Sequence, residues 1–138
     1  MNTENPSPTS NDSGVIRRVL FVDDDKTLLN AYQMYVSRFI DVEVIYSGED
    51  ALELLGKEQF SVIISDMHMP SMTGVQFINR ARELAPKSVY MLLTASQDNQ
   101  TAVDAFNEAN VFCVIKKPCA LKDLADFVEA AQTEAEKL

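Results

Sequence analysis

A single histidine and two cysteines are the only imidazole and thiol groups in this 138-residue chain. One imidazole cannot supply a zinc site built from several histidines. Cys113 and Cys119 are too few for a thiolate metal site or a disulfide framework, and are read as structural or incidental thiols. No apolar run approaches the ~20 residues that cross a bilayer. The N-terminus lacks a basic stretch followed by an apolar run, so no secretory signal is expected. Positive charge is also scarce: 12 Lys and Arg stand against 21 Asp and Glu, a net charge of -9. That balance argues against direct nucleic-acid binding by this domain, which would need a basic patch for phosphates. The four glycines are isolated, so no glycine-rich nucleotide loop is present, and no serine elbow marks a hydrolase.

What is present is a globular composition, 46% hydrophobic, long enough for one domain that buries about two-thirds of its unfolded surface. A reduced, cytoplasmic setting is expected. Residues 1–14 (MNTENPSPTSNDSG) hold no aliphatic residue after Met1 and are expected to be a flexible tail ahead of one domain over 15–138. Short apolar runs at 18–22, 42–46, 60–65, 89–93 and 111–115 read as buried strands. Between them, apolar residues recur at helical spacing. Leu28, Leu29, Tyr32, Tyr35, Val36 and Phe39 mark a first helix, and Ser47 caps a second that Gly56 stops. Val75, Phe77, Ile78, Ala81 and Leu84 mark a third, and Ala102, Ala105, Phe106 and Ala109 a fourth. A last helix starts at Leu121. Five strands, each followed by a helix, predict a parallel sheet covered on both faces.

In such sheets the functional site lies outside the carboxyl ends of the strands. Asp23, Asp24 and Asp25 end the first strand, Asp66 the third, Thr94 the fourth and Lys117 the fifth. Like charges at about 4 Å repel by roughly 4 kcal/mol per pair at a surface-like dielectric. A hard divalent cation relieves that cost, and all-oxygen ligands favour magnesium or calcium. Magnesium keeps waters and takes one or two carboxylates plus a phosphate. Lys117 and Thr94 would then face the oxygens of a phosphoryl group, and one carboxylate is free to act as nucleophile. The residues themselves point to magnesium-dependent aspartyl phosphorylation.

Across residues 17 to 131 the chain resembles the receiver domains of two-component response regulators. The resemblance rests on Val22-Asp23-Asp24-Asp25, Ser65-Asp66-Met67-His68-Met69-Pro70, Gly74, Leu93-Thr94-Ala95 and Lys117-Pro118. It implies a flavodoxin-like (βα)5 doubly wound α/β sandwich with strand order 2-1-3-4-5. It implies that Asp66 is the phosphoacceptor, served by a sensor histidine kinase or a phosphotransfer protein. Asp24 would ligate Mg2+ directly, Asp23 mainly through a bound water, and His68 through its backbone carbonyl, with Asp66 completing the set. Thr94 and Lys117 would contact phosphoryl oxygens, and a cis peptide is expected before Pro118. A regulatory rather than an enzymatic domain is implied, acting on an output domain or partner protein. Val114 stands where the family often has an aromatic switch residue, with Phe112 two residues earlier. His68 and Ser96 hold positions that tune dephosphorylation in the family.

A haloacid-dehalogenase-type phosphatase is the alternative, because residues 21–27 (FVDDDKT) fit that family's opening motif. Asp23 would then be the nucleophile and Asp25 the general acid. That reading lacks a downstream acidic pair, has no length for a cap, and leaves Asp66 unexplained. Asp25 is instead expected to cap the first helix. Lys116 is expected to be a surface residue, and Met67, Met69 and Met72 to be packing residues. Leu121, Leu124, Val128, Ala131, Ala135 and Leu138 follow a heptad spacing. The last helix is therefore expected to pack on the sheet and, from about 132, to continue into a linker or a homodimer contact.

Overall fold

A computed structural model describes residues 17–95 and 99–138. The elements alternate: β1 (Val19–Val22), α1 (Lys26–Val36), β2 (Val42–Ile45), α2 (Gly48–Leu55), β3 (Val62–Asp66), α3 (Gly74–Leu84), β4 (Val89–Thr94), α4 (Asn99–Ala109), β5 (Cys113–Lys116) and α5 (Leu121–Ala135). The sheet runs β2-β1-β3-β4-β5, every pair parallel, as the sequence predicts. Residues 1–14 and Ser96 lie outside the described residues.

The pleat explains why the strands are apolar throughout. Successive side chains point to opposite faces, and here both faces are covered. Leu20, Val22, Ile63 and Leu92 pack with Ala51, Leu55, Phe77, Ile78, Ala81, Ala105 and Ala109 of α2, α3 and α4. Val19, Phe21, Ile64, Met91 and Leu93 pack with Leu29, Tyr32, Val36, Leu124, Val128 and Ala131 of α1 and α5. Each large aliphatic side chain so enclosed contributes roughly 1.5–3 kcal/mol. Among them Phe21 and Tyr32 meet edge to face, with ring centroids 5.1 Å apart.

Local chemistry sets the helix starts. Asp25 accepts from the Leu28 amide at 3.1 Å and Ser47 from the Asp50 amide at 3.1 Å, the two expected caps. Thr73 and Gln76 close a reciprocal capping box on α3, which the sequence reading did not anticipate.

Several boundaries differ from the expectation. The 18–22 and 42–46 runs overshoot β1 and β2 by a residue each. The ladder of β3 starts at Val62, because Phe60 lies below it as a plate under the Arg18 guanidinium, 4.7 Å from the ring centre. Val111 is buried but precedes β5, whose register begins at Cys113 opposite Met91. Helical spacing also over-read several side chains, Tyr35 among them at 39% exposed. Phe39 lies past the end of α1 and is 69% exposed, while Leu84 and Phe106 sit half out of their helices. The heptad positions divide in the same way. Leu124, Val128 and Ala131 face the sheet, but α5 ends at Ala135, and Leu138 is two-thirds exposed beyond it. The Glu136 amide still donates to the Gln132 carbonyl in helical fashion, and the Lys137 and Leu138 amides close tighter turns onto the Glu134 and Ala135 carbonyls.

Candidate functional site

The topology brings the chosen residues to one edge. β1 lies between β2 and β3, with Val22 opposite Ser65, so Asp23 and Asp66 leave adjacent strands side by side. β4 delivers Thr94 next to them, and β5 delivers Lys117 one residue past its end. Asp23 and Thr94 are completely buried and Asp66 is 6% exposed, whereas Asp24 is exposed at the rim.

Lys117 neutralises the buried pair. Its Nζ lies 2.9 Å from Asp23 Oδ2 and 2.8 Å from Asp66 Oδ1. The sequence reading gave this lysine a role toward phosphoryl oxygens and missed its bridge between two carboxylates. Three further donors fix the acids. The Asp25 amide donates to Asp23 Oδ1 at 2.9 Å, and the His68 amide to Asp66 Oδ2 at 3.2 Å. The Ser65 hydroxyl donates to the Asp66 carbonyl at 2.9 Å. The Lys117 amide itself donates to the Thr94 carbonyl at 2.7 Å, and the peptide joining Lys117 to Pro118 is cis, as expected.

Burial pushes the Asp23 carboxyl up from its ordinary value. The Asp25 amide and Lys117 oppose that rise, and the Asp66 charge adds to it. For Lys117, burial alone would lower the ammonium, but the hydrogen bonds and charges of Asp66 and Asp23 outweigh it and hold it above 10.5. The lysine is therefore fully charged at neutral pH.

One carboxylate oxygen from each of Asp23, Asp24 and Asp66 lies within 4.8 Å of the others. Three hard oxygens gathered this closely, with one residue open to solvent, fit a divalent cation that retains water. His68 has an exposed side chain, and its neighbours Met67 and Met69 are buried with Met72 as packing residues. Lys116 is exposed, and Val114 is half-buried in β5 with Phe112 exposed beside it. Asp25 accepts from the Leu28 amide as the N-cap of α1, the role expected of it.

Gly74 is a structural part of the site whose reason the sequence could not state. A Cβ there would stand 2.4 Å from the Asp66 carbonyl oxygen and 2.8 Å from Leu92 Cδ2. Only glycine lets the start of α3 close on the backbone that carries Asp66.

Comparison with known proteins bears on the family and the fold. The Hydrogenase transcriptional regulatory protein HoxA of Cupriavidus necator is 32% identical over 113 residues, covering 82% of this chain and 23% of that protein. A Rhodopirellula baltica crystal structure described as adenylate cyclase shares 40% identity at a TM-score of 0.83, covering 88% of this chain and 91% of that one. A CheY-like receiver domain from Methanospirillum hungatei JF-1 superposes at a TM-score of 0.80 with 24% identity, over 89% of this chain and 98% of that one, and so shares the fold. This chain spans about a quarter of the length of the curated relatives it matches. No helix among the described residues is long and apolar enough to cross a membrane. With residues 19–129 matching the response regulator receiver domain profile, the chain belongs to the receiver domain family of two-component signalling.

Proposed function

We propose that Asp66 accepts a phosphoryl group from a sensor histidine kinase or a phosphotransfer protein, and that the domain passes the event to an output domain or partner. The observation that carries this reading is the buried triangle of Asp23, Asp66 and Lys117 with Asp24 at its open rim. An acid that is both buried and ion-paired is held in one geometry, with its charge available for attack.

In the transfer, an Asp66 carboxylate oxygen attacks phosphorus, and the bond from phosphorus to the donor's histidine nitrogen breaks. The electron pair stays on that imidazole. Lys117, already 2.8 Å from Asp66, is placed to follow the charge onto a phosphoryl oxygen, and the Thr94 hydroxyl to donate to another. Asp23 and Asp24, with Asp66 and the His68 carbonyl, would hold Mg2+, which supplies charge neutralisation for the gathered anions. Phosphorylation would thus withdraw the shared lysine from Asp23 and alter how β4 and β5 end, a bistable change of the kind that switches use.

The reading is tested with magnesium and acetyl phosphate, followed by intact mass measurement of the wild type, Asp66→Ala and Asp23→Ala. The wild type should gain one phosphoryl mass and Asp66→Ala none. Phosphate on Asp66→Ala, with none on Asp23→Ala, would instead favour the phosphatase chemistry. An unchanged magnesium affinity in Asp24→Ala would remove Asp24 from the metal site.

A further inference from the structure

A polar side chain interrupts the apolar run that leads to Asp66. β3 reads Val62, Ile63, Ile64, Ser65, Asp66, and all five residues are buried, Ser65 completely. In the sheet Ser65 lies between Val22 of β1 and Leu92 of β4, both fully buried. A hydroxyl taken from water into such surroundings is costly unless it is hydrogen-bonded. An aliphatic side chain would fill the position, as one does at 62, 63 and 64. The Ser65 hydroxyl is bonded, and its acceptor is the Asp66 carbonyl at 2.9 Å.

That bond closes a ring through the backbone of Asp66. The ring contains the Ser65 Cα–C bond and both backbone bonds of the Asp66 Cα. With the peptide planar, it restrains ψ of Ser65 together with φ and ψ of Asp66. Those torsions aim the Asp66 Cα–Cβ bond, and with it the carboxylate. The peptide that follows is tied on both sides. The Met67 amide donates to the Leu93 carbonyl at 2.7 Å, and the Gly74 amide to the Met67 carbonyl at 2.8 Å. The carboxylate end is held separately, by Lys117 at 2.8 Å and the His68 amide at 3.2 Å. Lys117 is placed to follow charge onto a phosphoryl oxygen during transfer. The Ser65 bond lies behind the reacting atoms, and the transfer leaves it in place.

We infer that Ser65 is a positioning residue for Asp66: its buried hydroxyl, by holding the Asp66 carbonyl, sets the direction from which the carboxylate meets phosphorus. This rests on the phosphoacceptor reading above and adds a residue that never touches the phosphoryl group. Strand torsions scatter by about 15°, and a drift of that size at Asp66 displaces its carboxylate oxygens by roughly 1 Å. A misplacement near 1 Å costs up to about 100-fold in rate.

Ser65→Thr and Ser65→Val form the test, because the two side chains share a shape and differ in the hydroxyl. Intact mass of the full chain gives the rate of phosphate gain from acetyl phosphate at saturating magnesium. Urea unfolding fixes the conditions in which both variants are fully native, so that slower transfer is not lost fold. Ser65→Thr should stay within about threefold of the wild type, and Ser65→Val should be about tenfold slower than Ser65→Thr. The carbonyl-carbon NMR signal of Asp66 should move upfield in Ser65→Val relative to Ser65→Thr, as it loses its donor. Equal transfer rates in the two variants overturn the positioning role, and so does a carbonyl signal that does not distinguish them. If the added methyl unfolds either variant, Ser65→Ala against the wild type decides the question by the same rate and signal. Absence of any phosphoryl mass on the wild type overturns the phosphoacceptor reading instead. Magnesium affinity then decides the positioning role, since Asp66 also faces the metal: Ser65→Val should bind about tenfold more weakly than Ser65→Thr, and equal affinity overturns it.

Discussion

Replacing Gly74 by alanine places one methyl group against the backbone of the phosphoacceptor, and the structure sets the size of the effect. The new Cβ would sit 2.4 Å from the Asp66 carbonyl oxygen, 2.8 Å from Leu92 Cδ2 and 3.0 Å from Met67 Cα. Atom pairs attract at about 3.5 Å, so the overlap with the carbonyl oxygen is roughly 1 Å. Leu92 is fully buried, and Asp66 is fixed in the β3–β4 ladder opposite Leu93, so neither can yield without moving its neighbours. Overpacking of this kind costs about 1–3 kcal/mol, against which alanine's helix propensity returns at most about 1 kcal/mol. A net loss of roughly 2 kcal/mol is expected by urea unfolding. Gly48→Ala is the internal comparison. Its Cβ would meet Met72 Sδ at 2.9 Å, and a thioether can swing aside, so its change should stay within about 1 kcal/mol. Neither glycine has a left-handed backbone, so the two differ in what surrounds them and not in conformation. Relief of the Gly74 clash moves Asp66 relative to Lys117, and a misplacement near 1 Å can cost up to about 100-fold in rate. Phosphorylation by acetyl phosphate in Gly74→Ala should therefore slow at least about tenfold, and in Gly48→Ala hardly at all. If both variants unfold at the same urea concentration and gain phosphate at the same rate, the close approach of α3 to the Asp66 backbone is refuted.

Three further outcomes are expected. The Tyr32 hydroxyl is buried without a hydrogen-bond partner, so Tyr32→Phe should stabilise the domain by about 1 kcal/mol and raise Tm by about 3 °C in thermal unfolding; a loss would show that the hydroxyl is satisfied. Burial pushes the Cys113 thiol up to about 11 from 9.0, so iodoacetamide should modify it roughly 100-fold more slowly than a free thiol at pH 8, with the rate still climbing at pH 10. Burial also raises the Asp23 carboxyl above 3.8, so in metal-free buffer its ionisation costs stability as pH rises from 3.8 through its folded value. Asp23→Asn should then gain on the wild type over that window, and a pH-independent difference in unfolding free energy would contradict the sign.

How much of this was legible in advance depends on the range of the interaction that decides each feature. Strand and helix identity follow from periodicity, a local property, and the order of the five strands is the one the family resemblance implies. The ends of elements are decided by partners distant in sequence. Phe60 looked like strand because it is apolar, yet Arg18, 42 positions earlier in the chain, takes its ring as a plate. Phe39 and Leu138 fit helical spacing, but spacing says nothing about where the neighbouring surface stops.

The site divides along the same line. Asp23, Asp24, Asp66, Thr94 and Lys117 were legible because a parallel sheet places the residue after each strand on one edge, whatever else the chain does. The charge balance among them was not. Counting carboxylates predicted repulsion awaiting a cation, whereas the folded chain already answers two of the three with one lysine. That difference bears on mechanism. If only a metal held Asp23 and Asp66 together, phosphorylation would add negative charge to a site whose counter-ion is external. With Lys117 shared between them, a phosphoryl group on Asp66 competes with Asp23 for a cation that the chain itself supplies. The peptide of Lys117 is bonded to the end of β4 at the Thr94 carbonyl, so that competition acts on the two strands flanking α4. Lys117→Met should consequently do more than slow transfer. It should leave the acids to repel in metal-free buffer and uncouple the amide exchange at the ends of β4 and β5 from the phosphorylation of Asp66, even where phosphate is still incorporated. Coupling that survives in Lys117→Met would place the link elsewhere, with Thr94 the remaining group at that edge.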